Sequence, residues 1–365
     1  MKSEKSVKSI AKRKKFKVIG LMSGTSLDGL DIAHCTFTRN GDTWKYSINY
    51  AGVAAYPSEL HKKLAGAMAL SGFELSELDV QLGKFFADCV RQFCVEMECE
   101  TDVIASHGHT IFHCPSTGLT KQIGSGVVIA ARTGIDTVCD FRTVDVALGG
   151  QGAPLVPIGD ELLFPQYDFC LNLGGFSNIS FRENDHRIAY DIAPNNMALN
   201  YLSNLLGHDY DKNGDIARSG NIDETLFNRL QNLEYYRKQP PKSLGKEWFD
   251  ENFKPVLDES QISIADKLAT VTAHIAHQLA GNFTHSGRVL ITGGGAYNKF
   301  LIESLSKLTD NELVVPDKLT IEYKEALIFA FLGLLRVIEL PNCLKTVTGA
   351  NFDSVCGCVY KGLAL

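Results

Sequence analysis

Short apolar runs alternate with longer amphipathic stretches along this chain, and the alternation sets the elements to expect. Residues 16–22 form a mostly apolar run that predicts a buried strand. A polar turn rich in Ser, Gly, Thr and Asp occupies 23–29, and a second apolar run over 30–37 predicts another strand. Residues 61–69 and 75–98 place apolar side chains at helical spacing. A short buried strand is expected over 103–107, a helix over 127–133 and a strand over 137–140. The stretch 147–157 is dense in Gly and Pro, which marks a linker or a functional loop, so a domain boundary is placed near it.

The second half restarts the same pattern. A strand over 169–173, a Gly174-Gly175 turn and a strand over 178–181 come first. Strand 187–192, helix 196–206, helix 265–283, strand 288–292, helix 299–308 and a last long helix over 323–338 follow. Each half thus opens with strand, glycine turn and strand, which points to paired α/β domains facing a cleft. The expected division is a basic tail over 1–15, a first domain over 16–145, a second over 146–340 and a C-terminal extension over 341–365.

Composition narrows the class. The 365 residues are 45% hydrophobic and 21% charged with a net charge of -6, which suits a folded core and lacks a basic nucleic-acid-binding face. Charge is uneven only at the start, where Lys2, Lys5, Lys8, Lys12, Arg13, Lys14 and Lys15 stand against Glu4. A solvated tail is expected there; no apolar segment follows that would make it a secretory signal. The longest apolar stretch, 326–335, falls short of a membrane span and reads as a buried helix. Ten cysteines without a C-x-x-C pair are expected to be reduced thiols of a cytoplasmic protein.

Several segments carry candidate chemistry. In Ser23-Gly24-Thr25-Ser26-Leu27-Asp28-Gly29 the glycines let backbone N–H groups approach an anion, the hydroxyls can add hydrogen bonds, and Asp28 can hold a hydrated Mg²⁺. An ordinary polar hairpin turn is the competing reading. Gly174 and Gly175, in Leu173-Gly-Gly-Phe-Ser-Asn178, repeat the device; two such turns, one per half, suit a triphosphate. Gly293-Gly294-Gly295, ahead of Asn298, lets a flat ligand lie against the backbone between a strand and a helix. Asp191 ends a strand before Pro and Asn, where a carboxylate can take a proton from a nucleophile; a helix-entry acid is the alternative. Arg142 can fork onto an anionic oxygen near Gln151, or serve an interdomain salt bridge beside a hinge. His107 and His109 fall on one face if their strand continues, and suit a polar cleft lining better than zinc, which would need more ligands.

Taken in order, Gly20-Leu-Met-Ser-Gly-Thr-Ser-Leu-Asp-Gly-Leu-Asp31, Ser106-His-Gly-His109, Asp140-Phe-Arg142, Gly149-Gly-Gln-Gly-Ala-Pro-Leu-Val-Pro157, Leu171-Asn-Leu-Gly-Gly175, Asp191, Gly293-Gly-Gly-Ala-Tyr-Asn298 and Lys324-Glu-Ala326 resemble the anhydro-N-acetylmuramic acid kinase family, from about residue 16 to about residue 340. The resemblance implies an α/β fold of two actin-like, ribonuclease H-like domains flanking a nucleotide and substrate cleft. It implies an ATP- and Mg²⁺-dependent reaction that opens a 1,6-anhydro amino sugar with water and phosphorylates the freed O6, in peptidoglycan recycling. Asp191 would be the catalytic base. Ser23, Gly24, Thr25, Ser26, Asp28, Gly29, Gly174, Gly175 and Asn178 would serve the phosphates; Gly293, Gly294, Gly295 and Asn298 would serve the nucleoside. His107, Arg142, Gln151 and Glu325 would face the sugar or its phosphate. A homodimer is also implied, with no nucleic acid or membrane partner. The chain departs from the family at Ala193 and Asn195, where glycines are common, at His109, where Gln is commoner, and at Met22, where the wider fold usually has an acid. Asp28 is left as the metal candidate. Those departures keep two alternatives open: a non-catalytic ATP-binding sensor of the same fold, and a kinase for a related sugar.

Overall fold

The computed structural model describes residues 13–24 and 27–363, and most of the basic tail lies outside them. Its strands are β1 (Lys15–Ser23), β2 (Leu30–Asn40), β3 (Thr43–Ala54), β4 (Val103–Cys114), β5 (Leu119–Ile123), β6 (Thr137–Cys139), β7 (Phe169–Leu173), β8 (Phe176–Glu183), β9 (His186–Pro194), β10 (Arg288–Thr292), β11 (Glu312–Val314) and β12 (Cys358–Tyr360). The chain forms two compact units. One holds the described residues up to Leu163 together with those from Tyr323 onward; the other is Phe164–Glu322.

The first unit is built on a sheet in the order β12-β6-β4-β1-β2-β3, with β5 added to β4. Strand β1 runs antiparallel to β2 and parallel to β4; β2 and β3 are antiparallel, and β4 and β6 parallel. As a central strand β1 is buried on both faces, which is why 16–22 reads as a nearly continuous apolar run. Ile19 and Leu21 join Leu78, Leu82, Phe86 and Val90 of helix Gly72–Glu96 in one core. Ser71 and Glu74 start that helix with reciprocal side-chain-to-backbone hydrogen bonds. Gly20 turns the other way, towards helix Lys318–Val337: a Cβ there would stand 1.9 Å from the Ala326 carbonyl oxygen. Strand β3, an edge strand with one wet face, has too weak an apolar pattern to stand out in the sequence.

The second unit has a sheet in the order β11-β10-β7-β8-β9. Strands β7/β8 and β8/β9 are antiparallel, whereas β7/β10 and β10/β11 are parallel. Alternate residues of the strands (Phe169, Leu171, Leu173, Ile179, Phe181, Tyr190, Ile192) pack with Leu268, Val271, Ile275 and Leu279 of helix Ile264–Ala280. Both units therefore share one arrangement: three consecutive antiparallel strands, then two strands parallel to the first. Both units are α/β, and the expected repetition of the opening strands is present in each.

The units and the sequence-based ranges have different bounds. Residues 146–163 and 323–340 belong with the first unit. The glycine-rich loop after residue 147 is anchored there by Asp145, whose carboxylate accepts from the Gly152 N–H at 2.7 Å and the Thr348 hydroxyl at 2.7 Å. The Gln151 N–H also donates to the Thr348 carbonyl at 2.8 Å. The extension from 341 completes the first sheet through β12, which pairs antiparallel with β6.

Candidate functional site

In the second unit the Gly174-Gly175 turn is tied to the chain that follows β9. The N–H groups of Asn195 and Met197 donate to the Gly175 carbonyl at 2.8 and 3.2 Å, and that of Asn196 to the Gly174 carbonyl at 3.1 Å. The side-chain amides of Asn195 and Asn196 donate to the carbonyls of Gly174 and Leu173 at 3.3 and 3.2 Å. The N–H groups of Gly174 and Gly175 donate no backbone hydrogen bond among the described residues, which leaves them available to an anion. Gly175 is exposed, and a Cβ there would meet only Met197 Cε, at 4.0 Å. Asn195, fully buried, thus braces the turn.

The three-glycine segment lies against the same turn. Gly293 has φ +83°, and a Cβ there would stand 2.6 Å from Asn172 Oδ1 and 2.9 Å from the Leu173 carbonyl. Gly295 packs as tightly on Leu173. Gly294, exposed, begins the 3₁₀ turn Gly294–Tyr297. Asn298 is buried, and its side-chain oxygen accepts from the Leu301 N–H at 3.0 Å, capping helix Lys299–Ser306.

Asp191 lies on β9 opposite Asn178 of β8, beside a slip in register at Ser177/Asn178. Its Oδ2 accepts from the Leu244 N–H at 2.8 Å, and its Oδ1 accepts no hydrogen bond among the described residues. Burial pushes its pKa above the usual carboxylate range, and the Leu244 amide pulls it partly back. A half-buried carboxylate with one oxygen fixed and a raised proton affinity has the properties of a general base.

In the first unit Ser23 ends β1, with its hydroxyl buried. It accepts from the Tyr56 hydroxyl at 2.7 Å and lies 2.8 Å from His109 Nδ1. Gly29 packs so closely on β3 that a Cβ would meet Val53 at 2.6 Å. Gly24 accepts from the Leu27 N–H through its carbonyl, and Asp28 is exposed. Thr25 and Ser26 lie outside the described residues. Among those residues no group of three or more His, Cys, Asp or Glu side chains gathers around a metal position. A lone exposed carboxylate fits Mg²⁺ held mostly by phosphate oxygens and water.

His107 and His109 are both buried on a β4 that continues beyond the expected length. His107 Nε2 lies 2.8 Å from Arg142 Nη2, and its Nδ1 lies 2.9 Å from the Gly108 carbonyl. Burial, reinforced by the Arg142 charge, pushes the His107 pKa down to about 3, so the ring is neutral: it accepts from Arg142 and donates to Gly108. Arg142 Nη1 donates to the Gly152 carbonyl at 2.6 Å. Among the described residues no carboxylate forms an ion pair with Arg142. Glu325 is open to solvent yet set deep in surrounding protein, which raises its pKa, while the charges of Arg142 and Lys324 draw it down. Gln151 is exposed at the start of the loop that Arg142 holds.

Within each unit, then, the expected residues gather into clusters: Gly174-Gly175 with Gly293–Gly295, Asn178 with Asp191, and His107 with Arg142. Sequence reasoning missed Tyr56, the buried Lys324–Asp160 pair at 2.7 Å, and the 235–244 region that touches Asp191. Lys324 stood in a recognised motif, whereas no motif covered residues 235–244; their partners are remote in sequence.

A family model described as anhydro-N-acetylmuramic acid kinase matches residues 16–362. A curated relative of that name from Aliivibrio fischeri is 37% identical over 94% of this chain and 99% of its own length. One from Synechococcus elongatus is 34% identical over 94% and 99%. The activator of 2-hydroxyisocaproyl-CoA dehydratase from Clostridium difficile, solved with bound ADPNP, covers 88% of this chain and 96% of its own at 13% identity and a TM-score of 0.42, a likeness too loose to carry functional information.

Proposed function

The chain belongs to the anhydro-N-acetylmuramic acid kinase family, and from that premise we propose that Asp191 is the base of its reaction. The activity is that of an ATP-dependent phosphotransferase. Water adds at C1 of 1,6-anhydro-N-acetylmuramic acid, the C1–O6 bond breaks, and O6 takes the γ-phosphoryl group. The products are N-acetylmuramic acid 6-phosphate, ADP and a proton.

The observation that carries the assignment is the Asp191 carboxylate, with Oδ2 fixed by the Leu244 amide and Oδ1 without a partner among the described residues. Oδ1 takes the proton of the attacking water. The N–H groups of Gly174, Gly175 and the Ser23–Gly29 turn hold phosphate oxygens, and Gly293–Gly295 lies along the nucleoside. Arg142, whose terminal nitrogens donate to the neutral acceptors Gly152 and His107, lends its charge to the transferred phosphoryl group. Glu325 and Gln151 serve the sugar; His107, expected there too, is buried with both ring nitrogens engaged and acts by holding Arg142. Asn298 holds the three-glycine segment in place by capping the helix behind it. Asp28 would hold Mg²⁺ through water, and the ion would supply neutralisation of phosphate charge when bound. The site is cytoplasmic, where ATP is available.

Sugar-dependent ADP release with Mg²⁺ and the anhydro sugar tests this reading. Asp191→Asn is expected to lower kcat by about 10²–10⁴-fold while ATP binding persists. Near-normal turnover in that variant removes Asp191 from the role.

A further inference from the structure

Strand β9 is the edge strand of its sheet, so β8 flanks Asp191 on one side only. The open side is taken by a segment some fifty residues later in the chain. The Asp191 N–H donates to the Lys242 carbonyl at 3.2 Å, and the Leu244 N–H donates to Asp191 Oδ2 at 2.8 Å. The Asp191 carbonyl accepts from the Tyr235 hydroxyl at 2.7 Å. Amide, carbonyl and carboxylate of this one residue are therefore each held by the 235–244 region.

The holders are also held to one another. Tyr235 is buried, with its ring 5.8 Å from that of Tyr236 and 5.3 Å from that of Trp248. The Lys242 ammonium sits 4.9 Å from the centre of the Tyr235 ring and 5.8 Å from that of Tyr190. Among the described residues Lys242 pairs with no carboxylate, so its side chain acts as a cation–π bolt between its own segment and Tyr235.

We propose that Tyr235 and the main chain of Lys242–Leu244 form a clamp that positions the Asp191 carboxylate for reaction, fixing Oδ2 and leaving Oδ1 free to receive the water's proton. The proposal rests on the reading of Asp191 as the base. An edge strand by itself leaves such a residue loosely held, and a displacement of about 1 Å at a reacting group can cost about 100-fold in rate. Tyr235 is a positioning residue here, since it meets the base's main chain and not the substrate.

The clamp also sets the pH response. Within the second unit the titratable groups around Asp191 are Tyr235, Tyr190 and Lys242, with Tyr236 and its partner His274 behind them; the last two are joined at 2.9 Å. None of these is a carboxylate. The Leu244 amide favours the ionised form of Asp191, so its removal raises the pH at which the base becomes active.

Two altered full-length proteins test the clamp. Tyr235→Phe removes one hydroxyl and is expected to lower kcat by about tenfold or more, with KM for ATP and for the sugar within about twofold. Replacing the 243–244 peptide bond by an ester, through leucic acid incorporation at 244, deletes the N–H and keeps the side chain. It is expected to move the acidic limb of the kcat/KM profile to higher pH. The clamp is overturned if Tyr235→Phe keeps its kcat and the ester leaves the limb in place. It is equally overturned if Tyr235→Phe loses stability and raises both KM values with an unmoved limb in the ester protein, the pattern of a purely structural contact. If Asp191→Asn turns over normally, the base assignment itself fails, a result separate from either of these.

Discussion

His107 shows how one buried side chain ties two functional loops together. Its ring joins the turn at Gly108 to Arg142, and Arg142 in turn holds the Gly152 carbonyl. The arrangement works only with a neutral ring, and the pKa is down to about 3 for both His107 and the buried His274, against 6.5 for the free side chain. In the unfolded chain both take up a proton near pH 6.5. Stability is therefore fully present above that pH and falls as the pH drops from 6.5 towards 3. Each histidine contributes a slope of up to about 1.4 kcal/mol per pH unit. Urea unfolding at a series of pH values is expected to give a flatter dependence for His107→Gln, by about one histidine's share between pH 6 and 4. An unchanged slope would show that the ring is charged in the folded protein.

Among the elements, β1 and helix Lys318–Val337 make the closest approach found at any described glycine. Backbone meets backbone at Gly20, and Gly333 lies so close to β4 that a Cβ would stand 2.4 Å from the Ala105 side chain. A methyl group at Gly20 has to displace the helix, because the atom it meets is the main-chain oxygen of Ala326. Gly20→Ala is expected to destabilise by about 3 kcal/mol. Gly52→Ala, in the edge strand β3 where a Cβ meets nothing within 4 Å, is expected to stay within about 0.5 kcal/mol of the parent. Chemical denaturation of the two proteins checks both values. The same helix carries Lys324 and Glu325, so a shift that spares folding is also expected to lower activity.

At the scale of the whole molecule, one strand order is used twice, and each copy places a glycine turn between its first two strands. Duplication explains why each half carries its own candidate phosphate turn. Extra strands mark the copies apart: β5 and β12 occur in the first unit alone among the described residues. Among those residues no helix is long and apolar enough to cross a membrane. The homodimer implied by the resemblance predicts twice the mass of a single chain in sedimentation equilibrium; a single-chain mass at micromolar concentration would refute it.

The sequence by itself determined the alternation of strands and helices, the repeated opening of the two halves and the family's motifs. These are local: apolar period and glycine chemistry are written in neighbouring residues, and the central strands β1, β7 and β10 lie close to the expected positions for that reason. It also placed Asp191, Arg142 and the glycine turns among the candidates, through spacing and resemblance. Only the tertiary structure decided what those residues touch. Strand β3 escaped notice because an edge strand with a wet face carries little apolar signal, and residues 146–163 joined the first unit because Asp145 binds their loop to a segment some 200 residues away. The clamp on Asp191 is likewise invisible in one dimension. Hydrogen bonds from Tyr235 and Leu244 reach across 44 and 53 positions, and no local propensity encodes which remote amide comes to rest against a carboxylate.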